Sequence, residues 1–354
     1  MAQLAESRRR TVNWTVRVAI IGCGLIGKKR AQALAGCTPA VCCDIVPERA
    51  HALAASMPGA EAVSDWRGVV SRNDIDAVIV ATSHDALAPI ASAACGAGKH
   101  VLLEKPGARS VAELRPIAVA VRRTGVVVRV GCNHRYHRAF QKAREIVDSG
   151  ALGELMFVRG RYGHGGRPGY EKEWRADPER SGGGELIDQG IHLIDLARWF
   201  LGDFVRVQGH IATYFWEMPV EDNGFLLLTT ATGQAAFLHA TWTEWKNMFS
   251  FEIYGRLGKL EITGLGGSYG VERLAYYAML PEMGPPETTV WDYPMADNSW
   301  EVEFEEFLRD IRLGRTPEPG LAEAEAALRV IEEVYEKARQ WAPGAVRSAA
   351  PGGY

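Results

Sequence analysis

The sequence predicts two domains of different class: an α/β domain with a doubly wound parallel sheet over 16–135, and an α+β domain with a mostly antiparallel open sheet over 136–341. Three observations predict it. From 16 to 131, short apolar runs alternate with alanine-rich helical stretches. Those runs are continuous rather than alternating, as expected of parallel strands covered on both faces. Beyond Tyr136 the order changes to strand-like segments separated by turn residues, the pattern of an α+β domain. At 354 residues the chain is long enough for two domains of about 150 residues each.

The first strand, Val16–Ile21, is β-branched and runs into Gly22-x-Gly24-x-x-Gly27. A helix follows over 25–36, then a strand over Ala40–Asp44. Gly22 permits a tight turn, Gly24 lets the backbone approach a pyrophosphate, and Gly27 lets helix pack on strand. The helix start, with Leu25 and Ile26, offers free N–H groups to an anion. An acid, Asp44, stands 22 residues after Gly22. Together these form a dinucleotide-binding βαβ fingerprint. Helices at 47–57, 65–71, 86–97 and 110–124 then alternate with strands at Ala60–Val63, Ala77–Ala81, His100–Leu103 and Val126–Val130. Ligands of such a sheet bind beyond the carboxyl ends of its strands.

The second half starts with a helix at 137–149 and a strand at Glu154–Arg161. A glycine- and arginine-rich loop at 162–183 leads to a helix at 184–201. Strands are expected at 204–215, 223–230, 234–243, 248–255 and 258–263. Residues 264–297, rich in Gly and Pro, carry no assignment. Asn298-Ser-Trp-Glu301 reads as a capping box. Trp300, Phe304, Phe307, Leu308 and Ile311 follow at helical spacing and read as core. A last helix covers 320–341. Residues 1–15 read as a loose leader and 342–354 as a frayed tail.

Composition excludes several classes. The net charge of −3 gives no case for nucleic acid or a membrane surface, and no segment approaches a membrane span. Arg8–Arg10 are followed by a strand interrupted by Arg17 rather than by an apolar export segment. The six cysteines (23, 37, 42, 43, 95, 132) form no C-x-x-C pair, so neither a disulfide framework nor a metal site is expected. The expected compartment is the cytoplasm.

Three clusters could carry chemistry. Lys105, in Glu104-Lys105-Pro106, follows the fifth strand and so lies at the sheet's carboxyl edge. Its ammonium could bind a substrate hydroxyl or polarise a carbonyl, although an isolated lysine there would read as a surface residue. Asp188 and His192 stand four apart after Gly182–Gly184, with Asp195 one turn on. A carboxylate beside a histidine can orient the ring for proton removal, but a salt pair or a core histidine would show the same spacing. The loop holding Tyr162, His164, Arg167, Tyr170, Trp174 and Arg175 suits a wall for a polar or anionic substrate, or else a solvated loop. Arg161, Arg167, Arg175 and Arg180 hint at a phosphate or nucleotide group.

At these clusters the chain resembles the glucose–fructose oxidoreductase / inositol dehydrogenase (Gfo/Idh/MocA) family over roughly 16–340. The shared motifs are G-x-G-x-x-G at 22–27, A-G-K-H-V-L-x-E-K-P at 97–106, G-G-G-x-x-x-D-x-G-x-H at 182–192, and Asn133 and Arg135 in N-H-R-Y. The resemblance implies an N-terminal Rossmann domain and an α+β domain whose open sheet faces the active site or makes subunit contacts. It implies Lys105 as the lysine on the reacting oxygen, His192 as general acid/base and Asp188 as its substrate-binding partner. Cofactor contacts are expected from Gly22, Gly24, Leu25, Ile26, Gly27, Asp44, Thr82, Ser83, His84, Glu104, Lys105 and Asn133. Substrate contacts are expected from Arg135, Tyr162, His164, Arg167, Trp174, Arg175, Asp188 and His192. One departure stands out: the family's A-T-P-N-x-x-H reads Ala81-Thr82-Ser83-His84-Asp85-Ala86-Leu87 here.

The implied activity is NAD(P)-dependent oxidation or reduction of one carbon of a sugar, cyclitol or nucleotide sugar, in a homodimer or homotetramer. Asp44 favours NAD, since a carboxylate binds the ribose 2′-OH and repels a 2′-phosphate; Arg49 nearby leaves NADP open. The competing readings are a lyase or epimerase that retains NAD through a transient oxidation, and a dinucleotide-binding sensor without turnover.

Overall fold

A computed structural model describes residues 15–341; the leader over 1–14 and the tail over 342–354 lie outside the described residues. Six strands, β1 (Val16–Ile21), β2 (Cys37–Cys43), β3 (Glu61–Val63), β4 (Ala77–Val80), β5 (His100–Glu104) and β6 (Val128–Gly131), make the first sheet. Its order is β3-β2-β1-β4-β5-β6 and every pairing is parallel. The central strands are buried throughout, β4 being Ala-Val-Ile-Val, which explains their continuous apolar runs. Five helices wind around it: α1 (Leu25–Gln32), α2 (Pro47–Ala55), α3 (Trp66–Val70), α4 (His84–Gly96) and α5 (Val111–Thr124). Capping residues set the bounds of α5: the Ser110 hydroxyl accepts the Glu113 N–H, and Gly125 ends the helix at φ 70°. The winding reverses between β1 and β4, and a crevice opens there at the strands' carboxyl ends.

In the second half, α6 (Arg138–Asp148) leads to β7 (Leu155–Gly163); α7 (Pro178–Ser181) and α8 (Ile191–Leu201) precede the remaining strands. These are β8 (Phe204–Ala212), β9 (Asn223–Thr230), β10 (Ala235–Thr241), β11 (Met248–Gly255), β12 (Gly258–Thr263), β13 (Glu272–Ala278) and β14 (Glu287–Tyr293). The eight-stranded order is β14-β13-β12-β11-β7-β10-β9-β8, and among the described residues only the β7–β10 pair is parallel. Burial alternates along β11 residue by residue. One face packs on α6, α8 and α10 (Leu321–Trp341); the other leaves Leu227 and Phe237 exposed.

The structure departs from the sequence expectations in four places. The unassigned stretch holds β13 and β14, an edge hairpin in which β14 is mostly exposed, so main-chain pairing rather than an apolar face defines it. The helix expected at 184–201 begins as a π-helical turn, Leu186–Gly190, before α8. No capping box forms at α9 (Ser299–Leu313): Asn298 makes no side-chain cap, and the Asp297 carboxylate accepts the Ser299 N–H at 2.8 Å. Finally, Phe304, Phe307 and Leu308 are buried but Trp300 lines the cleft, its ring 4.5 Å from the Arg30 guanidinium.

Helix α9 also closes the first sheet. Its Phe304, Phe307 and Leu308 pack with Val16, Val18, Ile20, Ile79 and Leu102, on the face opposite α4 and α5. An ion network fixes the contact: buried Arg30 of α1 bonds Glu104 at the end of β5 (2.6 Å) and Glu303 of α9 (2.5 Å).

Candidate active site

A cleft of about 1230 Å³ runs from the Gly22–Gly27 turn, past the end of β5, to the loop 164–180 and the π-helical turn. At one end, Gly22 takes φ +99° and Gly27 presses on it: a Cβ on Gly27 would lie 1.9 Å from the Gly22 carbonyl oxygen. A Cβ on Gly24 would meet nothing within 4 Å among the described residues, so the backbone there is open towards the cleft. The first N–H bonded within α1 is that of Lys28, to the Gly24 carbonyl; the preceding ones belong to an open helix start. Asp44 binds this turn, its Oδ2 accepting from Cys23 N–H (2.8 Å) and its Oδ1 from Val46 N–H (2.9 Å).

Mid-cleft, Lys105 leaves the end of β5 and meets Asp188. Its Nζ donates to Oδ1 at 2.7 Å and to the Asp188 main-chain carbonyl. Arg175, from the arginine-rich loop, donates to Oδ2 at 2.9 Å. Burial alone would raise the Asp188 carboxyl, but Lys105 and Arg175 hold it well below its ordinary range. The expected Asp188–His192 partnership is therefore corrected, because both carboxylate oxygens are taken by cations. The His192 Nδ1 is buried without a partner among the described residues. Burial, reinforced by Lys105, pushes the His192 imidazolium well below the ordinary histidine range, so the ring is neutral.

Most of the expected residues line this cleft: Gly22, Gly24, Leu25, Ile26, Asp44, Thr82, Ser83, His84, Glu104, Lys105, Asn133, Tyr162, His164, Arg167, Trp174, Arg175, Asp188 and His192. Gly27 packs behind the turn instead. Arg135 does not line the cleft: its Nε and Nη2 bond Asp195 at 2.8 and 2.7 Å, and both side chains are buried. That corrects two expectations, since Asp195 turns from the His192 face and Arg135 is spent on it; a buried charge must find its counter-charge. Arg161 points from the exposed side of β7. The departure at Ser83-His84 has a visible consequence: His84 Nδ1 lies 2.7 Å from the Ser181 carbonyl, and its ring meets Trp174 edge-on at 4.8 Å. Burial pushes His84 down to about 4, so it is a neutral strut between α4 and the loop.

His134, Gln189 and Tyr269, which carry no role in the sequence expectations, also line the cleft. His134 stacks on His192 with ring centroids 3.8 Å apart and planes 24° from parallel. Its position inside N-H-R-Y was the available signal.

Residues 16–132 match the oxidoreductase family with NAD-binding Rossmann fold, and residues 140–261 match the Gfo/Idh/MocA C-terminal domain. The chain is similar to levoglucosan dehydrogenase of Pseudarthrobacter phenanthrenivorans, 32% identical over 62% of this chain and 59% of that protein. It is also similar to inositol 2-dehydrogenase 2 of Saccharopolyspora erythraea, 30% identical over 62% and 64% of the two chains. The match thus spans less than two thirds of these curated relatives. With scyllo-inositol 2-dehydrogenase (NAD(+)) of Bacillus subtilis it is 27% identical over 85% and 88%. Among solved structures, levoglucosan dehydrogenase in complex with NADH and L-sorbose superposes with a TM-score of 0.82 and 25% identity, over 92% of this chain and 97% of that one. With both matched regions arranged around one cleft, the chain belongs to the Gfo/Idh/MocA family of oxidoreductases, with an NAD-binding Rossmann domain.

Proposed function

We propose that the chain catalyses the NAD-dependent interconversion of a secondary alcohol and a ketone on a sugar, cyclitol or nucleotide sugar. The observation that carries this reading is the meeting of Lys105, Asp188 and His192 in the same cleft as the Gly22–Gly27 turn. The chemical names of the relatives support the substrate class.

The turn fits a dinucleotide. Gly24 leaves the space a pyrophosphate needs, and the open start of α1 favours negative charge. Gly22, Leu25, Ile26 and Gly27 would shape that cradle. Thr82, Ser83, His84, Glu104 and Asn133 would flank the nicotinamide end. Each Asp44 oxygen accepts one N–H and keeps a lone pair for a ribose hydroxyl, which favours NAD over NADP. Bound NAD supplies the two-electron acceptor for the carbinol carbon. His192, neutral and with Nδ1 buried, takes the hydroxyl proton through Nε2. Lys105 donates to the same oxygen as it gains charge. Asp188 holds the Lys105 ammonium in place, and Arg175 keeps Asp188 ionised. In reduction His192 returns the proton. Tyr162, His164, Arg167 and Trp174 would contact the rest of the substrate. A homodimer or homotetramer built on the exposed sheet face belongs to the same reading.

The test is absorbance at 340 nm with NAD against free sugars, inositols, sugar phosphates and nucleotide sugars. NADH formed with one class supports the proposal and identifies the class. NAD binding with no absorbance change across the panel would move the function to an internal-redox lyase or a sensor.

A further inference from the structure

We infer that His134 is a positioning residue for His192, its stacked ring taking the place of the carboxylate hydrogen bond that ordinarily orients a proton-transferring histidine. The inference rests on the proton-transfer role proposed for His192. A catalytic imidazole needs its plane fixed, and the usual device is an Nδ1–H bond to a carboxylate or carbonyl. Here that device is missing. The His192 Nδ1 is buried and unpartnered, and Asp188 is held by Lys105 and Arg175. What fixes the ring is the face of His134, 3.8 Å away.

His134 is itself pinned. The Asn133 amide donates to the Ser299 hydroxyl at 2.9 Å, which turns Asn133 Oδ1 towards His134 Nδ1 at 3.2 Å. That bond requires the proton on Nδ1 of His134, leaving its Nε2 buried and bare. Packing completes the clamp: Tyr162 and Phe249 lie 5.3 and 6.0 Å from the His134 ring. Asn133 and Ser299 thus act on the reaction centre through a ring that carries no charge.

The stack also bears on pH. The charged and titratable groups around His192 are Lys105 after β5, Asp188 on the π-helical turn, His134 and His137 after β6, and Tyr162 on β7. His137 is tied to Glu272 at 3.1 Å and faces Asp297 at 3.8 Å. Lys105 and His137 oppose a charge on His192, Asp188 favours it, and His134 covers one face from water.

The test compares His134→Phe with His134→Ala in the NAD-loaded protein. Phenylalanine keeps the flat ring, still packed by Tyr162 and Phe249 although released from Asn133, so it restores most of the turnover that alanine loses and keeps the acid limb of kcat/KM low. Alanine frees His192: kcat falls about tenfold with KM little changed, the size of effect a misplaced group produces. The acid limb then rises towards the ordinary histidine value of about 6.5. Should alanine unfold the protein, His134→Leu fills the volume without a flat ring and carries the same expectation for kcat, while the acid limb stays low because the face remains covered. NMR titration of the His192 ring in the holoprotein reads the same shift without substrate, so it decides even if no redox substrate is found. An unchanged His192 titration and kcat in the alanine variant, or an unchanged kcat in the leucine variant, would overturn the inference. So would a phenylalanine variant as inactive as one lacking His192, since that would place the His134 nitrogens in proton transfer.

Discussion

Lys105 and Asp188 are joined twice, by an ion pair of 2.7 Å and by a bond from the same ammonium to the Asp188 carbonyl. The end of β5 is therefore tied to the backbone of the π-helical turn that runs directly into α8, where His192 stands four residues on. Asp188→Asn removes the anion shared by Lys105 and Arg175 and leaves two cations facing each other. Breaking a buried pair from one side costs about 3–5 kcal/mol, so a lower unfolding midpoint is expected. The displaced Lys105 also costs turnover, by about 10²-fold on the scale of a lost electrostatic donor. Thermal unfolding and the 340 nm assay check the two effects separately.

Gly24→Ala separates folding from cofactor binding. An alanine Cβ at this position meets nothing within 4 Å, so the thermal midpoint of the apoprotein stays at the wild-type value. The methyl group nevertheless enters the space assigned to the pyrophosphate, and NAD affinity measured by isothermal titration falls at least about tenfold, the equivalent of about 1.4 kcal/mol. Unchanged affinity would remove Gly24 from the cofactor site.

His192→Ala retains NAD binding and loses about 10²–10⁴-fold in turnover, the usual contribution of a positioned acid or base. Burial holds the wild-type ring neutral to below 6.5, so lowering the pH from 8 to 6.5 does not protonate the base. Oxidation should keep its rate over that range as far as His192 sets it, with the acid limb appearing only below. A pH–rate profile of kcat/KM with an acid limb above 6.5 would contradict this.

Glu303 gives a stability prediction. Burial pushes its carboxyl up to about 7 against the pull of Arg30. The folded protein then holds this proton more tightly than the unfolded chain, where the value is 4.5. The stabilisation is complete below pH 4.5 and is lost as pH rises through 7. Glu303→Gln imitates the neutral acid at every pH, so its stability relative to wild type rises between pH 5 and 8, by up to about 3 kcal/mol. Urea unfolding of both proteins at the two pH values measures it.

The alternation of strand and helix through β6, and the glycine turn, were legible because a buried parallel strand and a phosphate cradle both demand particular residues in order. Strand β14 was not, since an exposed edge strand places few demands on side chains, and β13 offers only Leu274 and Ala275 as buried apolar residues. The charged residues misled in a specific way. Arg135 and Asp195 stand beside site motifs, and sequence spacing does not tell a charge that waits for a ligand from one that has found its partner 60 positions away. Asp188 was located but given the wrong neighbour, because spacing along one helix says nothing of the cations that reach it from elsewhere, here Lys105 after β5 and Arg175 of the arginine-rich loop. His134 was hidden between two residues chosen for their motif match. Its importance lies in a ring-on-ring contact that no spacing announces.

The packing of α9 bears on how this protein is made. The first sheet is complete as hydrogen-bonded strands by Gly131, yet Phe304, Phe307 and Leu308 of its covering layer are encoded about 175 codons later. During synthesis the nucleotide-binding half therefore waits with part of one side uncovered while the whole second sheet emerges. Since domains ordinarily fold as units in order of synthesis, this chain has an unusual dependence. Its earliest-made strands gain their final protection from one of its last-made helices.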